Sequence, residues 1–338
     1  HLHSQSIQQI IAEFCEALNA ITQLRKKGHE QARYPWRLHR YRDVIYTHQG
    51  ARLRDGYLLL PHGQSGHLRV RVPDGITLPG RLMEVRLCYG HVLVVCELSD
   101  EERIPTSTIG VDLGVNTLIA ATDGKQALVI SGREAKATVQ WRNKKLVSIQ
   151  AAQARKHKGS NRWLKLQRRK HKMLGKAKRR IKDICHKATR QVADAFPDAT
   201  CYVGEPFNDA AQKMGAQQAQ QVSQACNARL IFLLSYKLAG AKVIPEPYTS
   251  QTCPVCGNRS KQRRVYHCRV CGTHAPRDVV GCTNILALGQ TGQLLAGRSV
   301  PNAVHFTHPT KYPGKRPGSS GGHPACSSQL TLREARDF

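Results

Sequence analysis

Two short cysteine motifs, Cys253-Pro-Val-Cys256 and Cys268-Arg-Val-Cys271, stand eleven residues apart, and a glycine (Gly257, Gly272) follows each. Zinc favours four soft ligands in a tetrahedron, and two such knuckles supply them, with glycine permitting the tight turn. Four thiolates leave no open coordination position, so one structural Zn2+ is expected; His267 and His274 stand nearby as alternative ligands. Eight further cysteines (Cys15, Cys88, Cys96, Cys185, Cys201, Cys226, Cys282 and Cys326) are scattered, mostly among apolar neighbours. That distribution reads as free thiols in a reducing compartment, the cytoplasm, rather than as a disulfide scaffold.

The second chemistry-bearing group is acidic. Asp112 closes the apolar run Ile109-Gly-Val-Asp-Leu-Gly-Val-Asn116, and Glu205 closes Cys201-Tyr-Val-Gly-Glu205. Asp278 opens an expected helix in Arg277-Asp-Val-Val-Gly-Cys-Thr-Asn-Ile285. Taken singly, each has a plain explanation: a turn cap at a strand end, or an acid favoured by a helix dipole. An ionised carboxylate at a buried strand end nevertheless needs a compensating partner. Together, in a chain this basic, the three suggest a site for hard divalent cations. Mg2+ prefers carboxylate oxygen, and two ions about 3.5–4 Å apart can activate water and stabilise the leaving oxygen of a phosphodiester.

The elements that must position these groups are legible in hydrophobic spacing. Ile7, Ile10, Ile11, Phe14, Leu18 and Ile21 recur at helical spacing before Lys26-Lys27-Gly28, so residues 1–50 read as helical. Short β-type runs follow at Tyr57–Leu60, Leu68–Val72, Met83–Cys88 and His91–Leu98, which predicts a small antiparallel barrel or sheet. Three strands are expected at Thr108–Leu113, Leu118–Thr122 and Ala127–Ser131, with an Asp123-Gly124 hairpin turn. A long helical stretch (134–196), a strand (Cys201–Glu205), a helical segment (212–239), a strand (Lys242–Pro245), the cysteine cluster and a last helix (277–288) complete the order. Three antiparallel strands followed by strand–helix–strand fit an RNase H-like core with acids at its edge.

Net charge is +29, from 52 Lys+Arg against 23 Asp+Glu, and residues 141–190 hold 19 Lys/Arg with one acid, Asp183. Such an excess points to a polyanionic partner, nucleic acid first. No run of 18 apolar residues exists to span a bilayer, and no amphipathic basic helix with an apolar face suits a membrane surface. The chain opens at His1 without Met, as an N-terminally incomplete chain would. Trp141 and Trp163 sit in the basic segment, where packing between helices and stacking on bases are both open to them.

The blocks Ile109–Asn116, Val203–Phe207, Tyr248-Thr-Ser-Gln-Thr-Cys253, the two knuckles and Arg277–Ile285 resemble the TnpB/OrfB transposon-encoded family, relatives of type V CRISPR effectors, in family order. Lys158-Gly-Ser-Asn-Arg-Trp163 and Arg180-Ile-Lys-Asp-Ile-Cys-His186 resemble its basic insert. The likeness covers about residues 105–290 well and 1–100 loosely. It implies an α/β multi-domain protein: an RNase H-like (RuvC) nuclease core with an inserted zinc ribbon, preceded by a small β-barrel-like domain and a helical segment. The implied layout is a helical recognition segment (1–56), a β-rich wedge-like domain (57–104), a RuvC-like core (105–247, basic insert 134–196), the zinc ribbon (248–274), a last helix (275–295) and a flexible basic tail (296–338). It implies that Asp112, Glu205 and Asp278 hold catalytic Mg2+, that a guide RNA from the transposon end selects double-stranded DNA, and that a prokaryotic, nucleoid-associated enzyme cuts it in transposition. Base pairing then supplies sequence choice while the protein grips backbone and shape. Lys156, Lys158, Arg162, Lys165, Arg168, Arg169, Lys170, Arg179 and Arg180 are the expected nucleic-acid contacts. Two departures stand out: Val280-Gly281-Cys282 replaces the family's Asn-Ala-Ala context, and Glu205 sits in Gly-Glu-Pro. A non-cleaving RNA-guided regulator and a structure-selective nuclease without guide RNA are the competing functions.

Overall fold

A computed structural model describes residues 3–36, 43–63, 66–88, 91–98, 103–205, 215–261, 264–294, 296–311 and 330–331. It divides into two compact units, His1–Glu101 with Lys315–Phe338, and Glu102–Gly314. No described helix is long and apolar enough to cross a membrane.

In the first unit, α1 (Ser4–Lys26) stops at Gly28, whose φ of +89° costs a glycine little. Its Ser6 hydroxyl donates to the Ile45 carbonyl (2.7 Å), fixing the helix on the first strand. The strands are β1 (Val44–Thr47), β2 (Arg52–Arg54), β3 (Tyr57–Pro61), β4 (His67–Arg71), β5 (Arg81–Cys88) and β6 (His91–Glu97). They form two sheets, β1-β5-β6 with an added strand at Leu330–Thr331, and β2-β3-β4. Tyr46, Leu58, Leu60, Val85 and Val92 pack into one core between them. Among the described residues the pairings form these two sheets over a shared core. The helical segment expected over 1–56 ends at Lys26, and β1 and β2 fall inside that range. Short runs such as Val44–Thr47 carry too few turns of pattern to separate strand from helix.

The second unit is built on a mixed six-stranded sheet. Its strands β7 (Ser107–Leu113), β8 (Thr117–Thr122) and β9 (Gln126–Ser131) are antiparallel neighbours. The helices α2 (Arg133–Ala154) and α3 (Asn161–Ala195) form the basic insert, turning at Gly159 (φ +90°), with the Ser160 Oγ accepting from the Trp163 amide at the α3 N-cap. Strand β10 (Ala199–Gly204) returns parallel to β7, and α4 (Ala216–Ser223) and α5 (Asn227–Lys237) lead to β11 (Ala241–Ile244), parallel to β10. Strands β12 (Val265–His267) and β13 (His274–Pro276) pair within the cysteine-rich segment, and α6 (Arg277–Thr291) follows.

Period-two alternation assigns the two faces of β7. Ile109, Val111 and Leu113 pack with Ile184, Cys185, Ala188 and Val192 of α3 and with Leu230 and Leu234 of α5. Burying each large aliphatic side chain in that layer contributes roughly 1.5–3 kcal/mol. The opposite face receives α6, and glycines decide how closely. A Cβ at Gly110 would lie 2.1 Å from the Cys282 carbonyl oxygen, and one at Gly289 would lie 2.1 Å from the Tyr202 ring.

One expected boundary is corrected. The tail from 296 does not lack structure: β14 (Ala303–Thr307) lies parallel to β9, and Val300 and Val304 pack against Val279 and Cys282. The open edge of β9 offers hydrogen-bonding groups that a short strand can satisfy, a long-range pairing that the surrounding Gly, Pro and His obscure. Residues 312–329 lie outside the described residues.

Candidate functional site

Two of the three expected acids stand at the ends of neighbouring parallel strands, β7 and β10, and β11 lies parallel on the far side of β10. Val111 pairs with Val203, so Asp112 stands level with Gly204 and one residue before Glu205. Gly204 pairs in turn with Ile244, and the Glu205 amide donates to the Ile244 carbonyl (2.8 Å). Crevices at the carboxyl ends of parallel strands are where open α/β sheets place ligands. The first turn of α6 brings Asp278 to this region, where its Oδ2 accepts from the Thr117 hydroxyl at 2.5 Å.

Two glycines leave the space that two carboxylates fill. A Cβ at Gly281 would lie 2.7 Å from Asp112 Oδ2, and a Cβ at Gly204 would lie 1.8 Å from Oε2 of a fourth acid, Glu246. Burial, and then the Asp278 charge, push the Asp112 carboxyl up to about 7, with Arg277 acting in the opposite sense. Burial, and then the charges of Asp112 and Glu205, push Glu246 up to about 8. The same neighbourhood raises Cys282, through burial first and then Asp112 and Asp278. Carboxylates that raise one another lack a sufficient counter-charge, and hard oxygen donors are the set Mg2+ takes. Arg277 supplies part of it, its Nε lying 3.9 Å from Asp278 Oδ1. In donor type, these residues are ones a divalent cation takes.

Glu246 and Thr117 are absent from the sequence-based set. Glu246 lies in Pro245-Glu-Pro247, beyond a strand rather than at its end. An acid two residues past β11, the next parallel strand, is the signal that would have found it.

The cysteine motifs fold as two knuckles. The Gly257 amide donates to Cys253 O and the Gly272 amide to Cys268 O, each at 2.9 Å, and both glycines have φ of +74°. The sulfurs of Cys253, Cys256, Cys268 and Cys271 all lie within 4.8 Å of one another, with Cys253–Cys271 at 3.5 Å and Cys256–Cys268 at 3.4 Å. This is the one such group among the described residues, so the carboxylates are spread more widely than the thiols. His267 and His274 face each other across β12–β13 and are not part of the thiol group. The buried Asn284 amide donates to the carbonyls of Thr249 and Thr252, both at 2.7 Å, tying α6 to the entry of the ribbon.

Of the expected nucleic-acid contacts, Lys156 and Lys158 lie in the α2–α3 turn and Arg162, Lys165, Arg168, Arg169 and Lys170 in the first half of α3, all exposed except the half-buried Lys170. Arg179 is exposed, and Arg180 pairs with Glu134 (3.1 Å). Trp141 is partly exposed and Trp163 half-buried.

Residues 91–200 match the OrfB model described as "Probable transposase", and residues 228–285 match the "Cas12f1-like, TNB domain" model. A TnpB-like protein of Methanocaldococcus jannaschii is 39% identical over 75 residues. The chain is similar to TnpB-type proteins over these stretches. The aligned stretch is 21% of this chain and only 18% of that TnpB-like relative's length. Asp112 lies inside the first family match and Asp278 and the thiol group inside the second, while Glu205 falls between them. Two cryo-EM structures are also similar. A Cas12f1-sgRNA-target DNA complex shares 13% identity at a TM-score of 0.39, over 74% of this chain and 68% of that one. A CRISPR-Cas12f ternary complex shares 14% at 0.38, over 61% and 46%.

Proposed function

We propose that this chain is an RNA-guided DNA endonuclease of the TnpB type, with an RNase H-like (RuvC) core. The observation that carries this reading is the grouping of Asp112 and Glu205 at the ends of adjacent parallel strands, with Asp278 at the first turn of the packed helix. Asp112, Glu205 and Asp278 would hold Mg2+. When bound, the ions supply an activated water and charge stabilisation at the leaving oxygen of the phosphodiester. The chain's own part is to hold the acids at fixed positions: Gly281 lets α6 close on Asp112, and Thr117 orients Asp278. Arg277 offers a cation beside the site for the substrate phosphate.

The zinc is structural, and through Asn284 its ribbon braces the helix that carries Asp278. The exposed lysines and arginines of the α2–α3 turn and α3 grip the guide RNA and its heteroduplex with double-stranded target DNA. The guide derives from the transposon end, and the protein works in the cytoplasm beside the nucleoid.

The test begins with sequencing RNA that co-purifies with the protein. A DNA target complementary to that RNA should be cut with Mg2+ by the parent, and Asp112→Ala should abolish cutting while retaining the RNA. Parental cleavage by Asp112→Ala would remove the reading.

A further inference from the structure

The two helices of the basic insert are linked at both ends of their shared length and part in between. At the sheet end the Arg180 guanidinium pairs with Glu134 (3.1 Å), and near the turn Gln153 Nε2 donates to Gln167 Oε1 (2.9 Å). Between these links lies a groove of about 310 Å³, close to the size at which small-ligand pockets begin, about 300 Å³. Trp141 and Ile149 of α2 face Leu166 and Met173 of α3 across it, each pair set two helical turns apart on its own helix.

Cations surround this apolar lining. Lys145, Arg169, Lys172 and Lys176 border the same groove, all of them exposed, and the sequence has no acid between Glu134 and Asp183. Four cations around an indole attract an anion that also carries a flat apolar ring, which is the make-up of a nucleotide. An indole stacks on any base, because every base has a π-face, while the cations take the flanking phosphates.

Position along the helix selects the strand. Ile181 and Ile184 lead the α3 residues that pack with the sheet. Met173 precedes Ile181 by eight residues, about 12 Å of helix, so the groove lies on the part of the hairpin beyond the sheet. A strand being cut must run to the acids at the strand ends, and the bases of a heteroduplex are already paired. Unpaired bases that stay bound throughout belong to the RNA.

We propose that the groove between α2 and α3 holds an unpaired base of the bound RNA, stacked on Trp141, with its phosphates on Arg169, Lys172 and Lys176. The inference rests on the RNA-guided reading above and adds to it an anchor that does not depend on pairing. Held there, the RNA has a fixed position on the protein before any DNA joins it.

The test begins with ultraviolet crosslinking of the full chain and its co-purified RNA, the linked nucleotides being located by mass spectrometry. A nucleotide on the segment holding Trp141 or Met173 is expected. The zinc-loaded full chain, freed of RNA, is then titrated with oligouridylate and with an abasic ribose-phosphate chain of equal length. Trp141→Ala should weaken oligouridylate binding roughly fivefold to hundredfold, the scale of one lost stacking contact, and leave the abasic affinity and its salt dependence unchanged. Trp141→Phe keeps a ring and should recover most of the loss. Ser148→Leu narrows the groove from an exposed position with Trp141 in place, and should give the same selective loss, which a folding defect at Trp141 would not. A larger loss on oligodeoxyuridylate than on oligouridylate would assign the groove to DNA and overturn the proposal. Crosslinks confined to lysines and arginines, with Trp141→Ala binding oligouridylate as the parent does, would also overturn it and leave the groove to an acidic protein segment. In either case, RNA-directed cleavage by the parent would keep the nuclease reading. A chain that carries no RNA would overturn both.

Discussion

The Thr117 hydroxyl donates to Asp278 Oδ2 at 2.5 Å, a bond between residues 161 positions apart. It joins the first residue of β8 to the first turn of α6, so the sheet itself orients an acid that enters from a helix.

Thr117→Val should therefore cost activity more than stability. Removing a group that orients a metal-holding carboxylate typically costs about 10–100-fold. The expected outcome is a rightward shift in the Mg2+ dependence of cleavage, with an unfolding midpoint near the parent's. A midpoint collapse with unchanged Mg2+ dependence would assign Thr117 to folding alone.

Gly110→Ala should destabilise the second unit by at least about 1–3 kcal/mol, the usual range for overpacking. A Cβ there would meet the Cys282 carbonyl at 2.1 Å, and backbone cannot rotate away as a side chain can. Denaturant unfolding measures this. Gly159→Ala, in open space at φ +90°, should cost only backbone strain.

Cys253→Ser should lower zinc content below one ion per chain and lower the unfolding midpoint, since the buried Cys253 sulfur belongs to the thiol group. His267→Ala should leave zinc content unchanged. Metal analysis of the two variants separates the thiol set from a mixed one.

The exposed basic face of α3 should read out as salt dependence. Every phosphate that a side chain neutralises steepens the fall of log affinity with log salt by about 0.7–0.9. Lys165→Gln, Arg168→Gln and Arg169→Gln should therefore each flatten that slope by this amount. Arg180→Gln should change it less, because Glu134 already pairs with that guanidinium. Asp112→Ala should leave the slope as it is.

Lys237 gives the fold a pH dependence in the alkaline range. Its Nζ donates to the His186 carbonyl (2.7 Å) and the Thr189 hydroxyl (2.8 Å), while burial, then Arg190, hold its pKa down to about 8 from 10.5. Between those two values the unfolded chain binds more protons than the folded one, so this residue makes stability rise with pH across that window. In denaturant titrations, Lys237→Met should lose that rise; an unchanged difference between pH 8 and pH 10.5 would refute the assignment.

Local chemistry made much of this protein readable from its residues alone. Paired knuckles with following glycines identified the four thiols, because tight turns and soft ligands need those residues at that spacing. Alternation and strand-end position singled out Asp112 and Glu205, and the helix-start pattern singled out Asp278. Only the tertiary structure decided what meets what. Glu246 reaches the end of β10 through parallel register and a missing side chain at Gly204, and β14 completes the sheet through an edge that β9 leaves open. Both depend on contacts between segments distant in sequence, whose energies act only once the chain has closed. Periodicity reports which face of one element is buried; it carries no record of the partner that buries it.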